Sequence, residues 1–177
     1  GCVPMPTNYD VLSKYMEDLS ADISVDMYKL NINIDDSTAN MIEDAKSLFQ
    51  NVDDNLSKCQ FKQAIMTAMH LAQETNQYLD KKSPWKVIKE DRQNAADSLY
   101  VALYVISCLR TILYPFLPFS SQKLHELLGF EGSVEADGWQ LHFPPPGQKL
   151  LPPKPLFAKL EEELAKEEAG RLGHVHY

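Results

Sequence analysis

The sequence predicts an all-α fold: an antiparallel helical bundle with an irregular N-terminal segment and a Pro-rich C-terminal extension. Apolar residues in the middle of the chain recur at three- and four-residue intervals over three long stretches. The first two stretches are separated by only a few residues, which makes them antiparallel neighbours. Size sets the remaining bound. With 177 residues and 44% hydrophobic content, the chain can bury one good core and carry a tail, whereas two independent domains would be cramped. The expected division is an N-terminal segment 1–36, a bundle core 37–142 and an extension 143–177.

Taken in order, residues 1–36 are the least regular. Val11, Leu12, Tyr15, Met16 and Leu19 suggest a short helix. Tyr28, Leu30, Ile32 and Ile34 alternate with Lys29, Asn31 and Asn33 as a strand would, although a lone strand has no evident partner. The first long helix presents Met41, Ile42, Ala45, Leu48, Phe49, Val52 and Leu56 on one face, with Glu43, Asp44, Lys46, Asp53 and Asp54 opposite. Ser37-Thr38 stands where its N-cap is expected. The second stripe, Phe61, Ile65, Ala68, Met69, Ala72 and Leu79, predicts a helix over about 60–80. The third, about 92–113, is apolar nearly all round and is expected to be the most buried. Arg110 and Pro115 interrupt its apolar run, so it reads as a core helix and not as a membrane span. Pro115 and Pro118 stop it. Ser120 or Ser121 is then placed to cap a short helix through His125 to Leu128, which Gly129 closes. Six prolines between Phe143 and Pro155 demand extended chain, and Leu156 to Leu164 is expected to close the sequence as a charged helix.

Several classes of chemistry are excluded by what is missing. Cys2, Cys59 and Cys108 are odd in number and far apart, which supports neither a disulfide framework nor a zinc ribbon and fits a reducing cytoplasm. There is no Gly-rich phosphate loop and no nucleophile elbow. His174 and His176 form a His-x-His that reads as a frayed tail before it reads as a metal site. His70 and His125 read as structural or solvated. No catalytic residue and no metal site is expected.

One stretch stands apart. From Lys81 to Arg92 five basic residues, Lys81, Lys82, Lys86, Lys89 and Arg92, face two acidic ones, a local charge of +3 on a chain whose total is −8. Such an island suits a focused contact with phosphate better than indiscriminate coating. Trp85 sits inside it. On residue types alone, Trp85 reads first as a tryptophan packing after a helix stop, with Pro84 beginning a new element, and second as an aromatic platform for an unpaired base.

The residues also carry a family resemblance. Phe61-x-x-Ala64-Ile65, Asn76-x-Tyr78-Leu79-Asp80, Pro84-Trp85 and Ile88-Lys89-Glu90-Asp91 occur in order. They are followed by Pro115-Phe116-Leu117-Pro118-Phe119-Ser120-x-Gln122-Lys123-Leu124. Together they resemble the anticodon-binding domain of methionyl-tRNA synthetases, a helical bundle of the class I aminoacyl-tRNA synthetase type. Gly147-Gln148-x-Leu150 and Pro153-x-Pro155-Leu156-Phe157-x-Lys159-Leu160-Glu161 resemble that family's closing segment. The likeness runs from about Phe49 to Glu161, and the ordered set is more specific than any one motif.

What the resemblance implies can be stated residue by residue. Trp85 stacks on an anticodon base and Asn76 reads a base edge. Tyr78, Asp80 and Pro84 hold the site, and Lys81, Lys82, Lys86 and Lys89 contact phosphate. The partners are methionine tRNA, with anticodon CAU, and the synthetase's own catalytic domain, not DNA or membrane. The family's adenylation motifs and zinc knuckle do not occur in this sequence. ATP, Mg and any Zn thus belong to the full enzyme's catalytic domain, and this chain is expected to bind and orient tRNA without catalysis. The family's Asn and Arg on the preceding helix would lie upstream of Gly1, splitting the reading head. A helical protein-interaction module, or the anticodon domain of another class I synthetase, remain the alternatives.

Overall fold

A computed structural model of the chain describes residues 35–142, 144–145, 147–157 and 162–171. The helix and strand expected within residues 1–34 lie outside them, as does the His174–His176 pair. Seven α-helices make up the regular structure of the described residues: α1 Asp36–Ser57, α2 Phe61–Lys82, α3 Pro84–Val87, α4 Arg92–Ile112, α5 Pro118–Leu127, α6 Val134–Asp137 and α7 Glu162–Arg171. The fold is all-α, as the periodicity predicts.

Helices α1, α2 and α4 pack against one another in all three pairings, and α3 and α5 flank α4. Ile42, Ala45 and Val52 of α1 meet Ala64, Ala68 and Leu71 of α2 and Tyr100, Val101, Val105 and Ile112 of α4 in one fully enclosed cluster. The small side chains Ala64 and Ala68 let the backbones approach. The larger aliphatic ones contribute about 1.5–3 kcal/mol each on burial. Helix α4 is buried on nearly every side, as its all-round apolarity predicts. It is long and apolar enough to cross a membrane by length and composition, but its apolar surface is covered by the bundle.

The structure corrects the sequence reading at several helix ends. The N-cap of α1 is Asp35, whose carboxylate accepts the Ser37 and Thr38 backbone N–H groups at 3.1 and 3.3 Å. Ser37 and Thr38 lie within the first turn. A carboxylate at the N-terminus also complements the helix dipole, which favours Asp over the neighbouring hydroxyls. Pro118, expected only to end one helix, begins another: it occupies the first turn of α5, where no backbone N–H is needed, and Ser121 is buried mid-helix. Helix α6, capped by Ser133, is too short for any periodicity to announce. Leu156 and Phe157 lie in a bend, while the closing helix runs to Arg171, which pairs with Glu167 and Glu168.

Gly129 ends α5 as predicted, with φ +81°, a backbone region that side chains with a Cβ rarely adopt. It has a second reason to be glycine, since a Cβ there would lie 2.3 Å from the Lys149 carbonyl oxygen. The extended segment passes over this point and is pinned to it, Gln148 Nε2 donating to Leu128 O at 2.6 Å and Leu151 N to Leu127 O at 3.0 Å.

Arg110 is fully buried. Its Nη1 lies 2.6 Å from His125 Nδ1 and 2.7 Å from Asp137 Oδ2, and its guanidinium carbon is 4.7 Å from the Phe130 ring centroid. Because Arg110 can only donate, His125 Nδ1 must accept, which leaves Nε2–H to donate to Glu131 O at 3.0 Å. His142 Nδ1 completes the knot on Asp137 at 2.8 Å. Burial raises the Asp137 carboxyl, but hydrogen bonds from Arg110 and His142 outweigh it and hold the group below the usual carboxylate range. The knot ties α4, α5 and α6 together. His125 is thus a structural histidine.

Candidate nucleic-acid interface

The candidate surface is built where α2 gives way to α3 and α4. Helix α2 ends at Ser83, which is left-handed at φ +44° and returns its N–H to Leu79 O at 2.8 Å. Its hydroxyl donates to Asp80 O at 2.7 Å, which helps a non-glycine residue hold this conformation. Its own carbonyl accepts from Lys86 N at 2.8 Å and Val87 N at 3.1 Å, which starts α3. Pro84 opens that single turn with its fixed φ and is buried. At the far end Asp91 caps α4, accepting from Gln93 N at 3.1 Å and Asn94 N at 3.0 Å. The turn is therefore fixed at both ends and packs on α4.

Trp85 projects from this turn with 54% of its surface exposed, and Ile88 beside it is also exposed. An indole anchored through its backbone but open on a face can receive a planar ring. Lys81, Lys86, Lys89 and Arg92 are exposed around it and make no ion pair with any described residue. Asn76 and Asp80 lie one turn apart on an exposed face of α2, and neither side chain has a partner among the described residues. Asn76 keeps both donor and acceptor available, the requirement for reading a base edge.

Besides the buried Pro84, two of the predicted site residues face inward. Tyr78 is buried, its hydroxyl 3.2 Å from Thr38 Oγ1. Lys82 is mostly covered and its ammonium donates to Asp35 Oδ2 at 2.7 Å. Asp35, and the contact of Thr38 with Tyr78, escape sequence reasoning because the partners stand forty or more positions apart. The nearest local signal was the acidic pair Asp35-Asp36, which reads as a helix start.

Comparison with known proteins bears on the chain as a whole. The family model for the anticodon binding domain of methionyl tRNA ligase matches residues 31–176. The chain belongs to that family. The methionine–tRNA ligase of Dehalococcoides mccartyi strain 195 is 50% identical over 134 residues, 76% of this chain and 24% of the relative. That of Roseiflexus castenholzii is 36% identical over 163 residues, 77% of this chain and 28% of the relative. The chain thus spans about a quarter of the length of the curated relatives it matches. Among solved structures, Mycobacterium tuberculosis methionyl-tRNA synthetase bound by methionyl-adenylate superposes with a TM-score of 0.66. That match covers 89% of this chain and 27% of that protein at 22% identity, a likeness of fold. The anticodon-binding family thus brings with it an all-α bundle of the kind described here.

Proposed function

We propose that this chain is the anticodon-recognition module of a cytoplasmic methionine–tRNA ligase, binding and orienting methionine tRNA while adenylation proceeds on a separate catalytic domain of the same enzyme. The observation that carries the reading is Trp85: a half-exposed indole on a fixed helical turn among exposed cations that form no ion pair with a carboxylate of the described residues. Trp85 stacks on a base of the CAU anticodon and Asn76 reads a base edge. Lys81, Lys86 and Lys89 hold phosphates, and Pro84 and Asp80 shape the turn. Stacking contributes about 1–3 kcal/mol per base and tolerates any base, so selectivity needs Asn76 and further polar groups. The ligase reaction, with its ATP, Mg and any Zn, lies in the catalytic domain, and the substrate of this surface is RNA and not DNA.

The test is a titration with methionine tRNA and an anticodon-changed copy at fixed salt, because affinities at different salt cannot be compared. The expected result is tighter binding of the CAU copy. Equal binding of both, with a preference emerging for another anticodon, would assign the module to a different class I synthetase. Absence of tRNA binding by the complete enzyme through this face would leave it a protein-interaction bundle.

A further inference from the structure

The lysines around Trp85 do not form one class. Lys81, Lys86 and Lys89 are exposed and unpaired among the described residues, whereas only 17% of the Lys82 side chain is exposed and its Nζ lies 2.7 Å from Asp35 Oδ2. The same ammonium lies 5.8 Å from the Tyr78 ring centroid. Tyr78 in turn meets Thr38 Oγ1 at 3.2 Å, and Thr38 Oγ1 donates to Asp35 Oδ2 at 2.9 Å. Since the single hydroxyl proton of Thr38 is committed to Asp35, the phenol must be the donor to Thr38. Asp35, Thr38, Tyr78 and Lys82 therefore close a polar ring between the first turn of α1 and the last turn of α2.

That ring stands directly before the Trp85 turn. Lys82 is the last residue of α2, Ser83 is the whole of the joint, and Trp85 is the second residue of α3. A helix's last turn carries carbonyls without intrahelical partners and frays unless something holds it. Here Ser83 takes the Leu79 and Asp80 carbonyls, and the Asp35 carboxylate at the N-cap of α1 holds the Lys82 side chain. The carboxylate is more than half exposed, so a phosphate approaching Lys82 would meet a negative charge beside it. We infer that Asp35 and Lys82 are positioning residues for the base-stacking Trp85, fixing the end of α2 from which α3 departs, and that Lys82 is not a phosphate contact. The inference rests on the anticodon-binding reading of Trp85.

Asp35→Asn in the complete synthetase keeps a good N-cap acceptor for α1 but removes the charge. Lys82→Met keeps the stem over Tyr78, and Lys82→Arg keeps the pair. With methionine tRNA, Asp35→Asn and Lys82→Met should each weaken binding about three- to tenfold, and the double variant should be no worse than the worse single one, because both remove the same interaction. Lys82→Arg should bind within about twofold of the parent, the charge being retained. The slope of affinity against salt should be unchanged in Lys82→Met but flatter in Lys86→Ala, which serves as the reference. A salt slope flattened equally by Lys82→Met and Lys86→Ala, with tighter binding by Asp35→Asn, would make Lys82 a phosphate contact and overturn the inference. So would full affinity in Asp35→Asn and Lys82→Met alongside a marked loss in Trp85→Ala, and that pattern leaves the anticodon reading intact. If Trp85→Ala itself binds normally, both the reading and the inference are overturned, since there is no platform to position.

Discussion

Two cationic regions of this molecule are built in opposite ways. At one end Arg110 is buried completely, with one carboxylate, one imidazole and one aromatic ring arranged around it. At the other, Lys81, Lys86 and Lys89 stand in solvent with no acidic partner among the described residues. A buried charge must be satisfied by the protein itself, so it serves the structure. An exposed and unpaired charge is satisfied by water and stays available to a ligand. The neighbourhood of a cation, more than its presence in sequence, thus separates a structural charge from an available one.

Breaking the buried side of this comparison should have the largest effect. Arg110→Ala should destabilise the domain by about 3–5 kcal/mol, because it opens a cavity, strips His125 Nδ1 of its donor and leaves Asp137 with His142 alone. A urea titration measures this, and a loss below 1 kcal/mol would mean that the knot is dispensable. The same knot should loosen in acid. Asp137 has a lowered pKa, so its contribution is present above the ordinary carboxylate value near pH 4 and is lost as pH falls through its native value. Asp35 is lowered by Lys82, Ser37 and Thr38 against the opposing effect of burial and acts in the same direction. Unfolding midpoints measured from pH 6 to pH 2 should therefore drop, and drop less steeply in Asp137→Asn.

Next in size is the platform. Trp85→Ala in the complete synthetase should lose about 1–3 kcal/mol of tRNA recognition, with methionine activation and the urea midpoint nearly unchanged because the indole is half exposed. Equal damage to activation would mean that Trp85 supports the fold. The smallest energetic effect, and the sharpest test of the exposed side, is Lys86→Ala with Lys89→Ala. Binding should weaken alike for every anticodon and the salt dependence should flatten, since phosphate contacts position without reading sequence. An unchanged salt slope would return these lysines to the solvated surface.

The three long helices were legible because each carries its own burial pattern over twenty-odd residues. Met41 to Leu56 and Phe61 to Leu79 are two-faced, and Leu99 to Ile112 is not. The closing Gly129 was legible too, because a left-handed C-terminal position selects that residue. What escaped was non-local or brief. Helix α6 has four residues, too few to show a period. The partners of Arg110 come from positions 125 and 137, and that of Lys82 from position 35, where nothing in the local pattern distinguishes them. Lys82 illustrates the limit: next to Lys81 it looks like its twin, and the helical turn of about 100° per residue sends one to solvent and the other to Asp35.

The joint at Ser83 also bears on how this segment can change in length. A conventional loop absorbs an extra residue at little cost because its dihedrals redistribute the difference. Here one left-handed residue separates two helices, so nothing is spare. Lengthening or shortening α2 by one residue ahead of Ser83 would turn the departure of α3 by about 100° about the α2 axis and carry Trp85 away from Asn76 and Lys81. Relatives that keep this recognition surface should therefore hold the spacing from Asn76 to Trp85 invariant, even where the extended stretch 147–157 grows or shrinks.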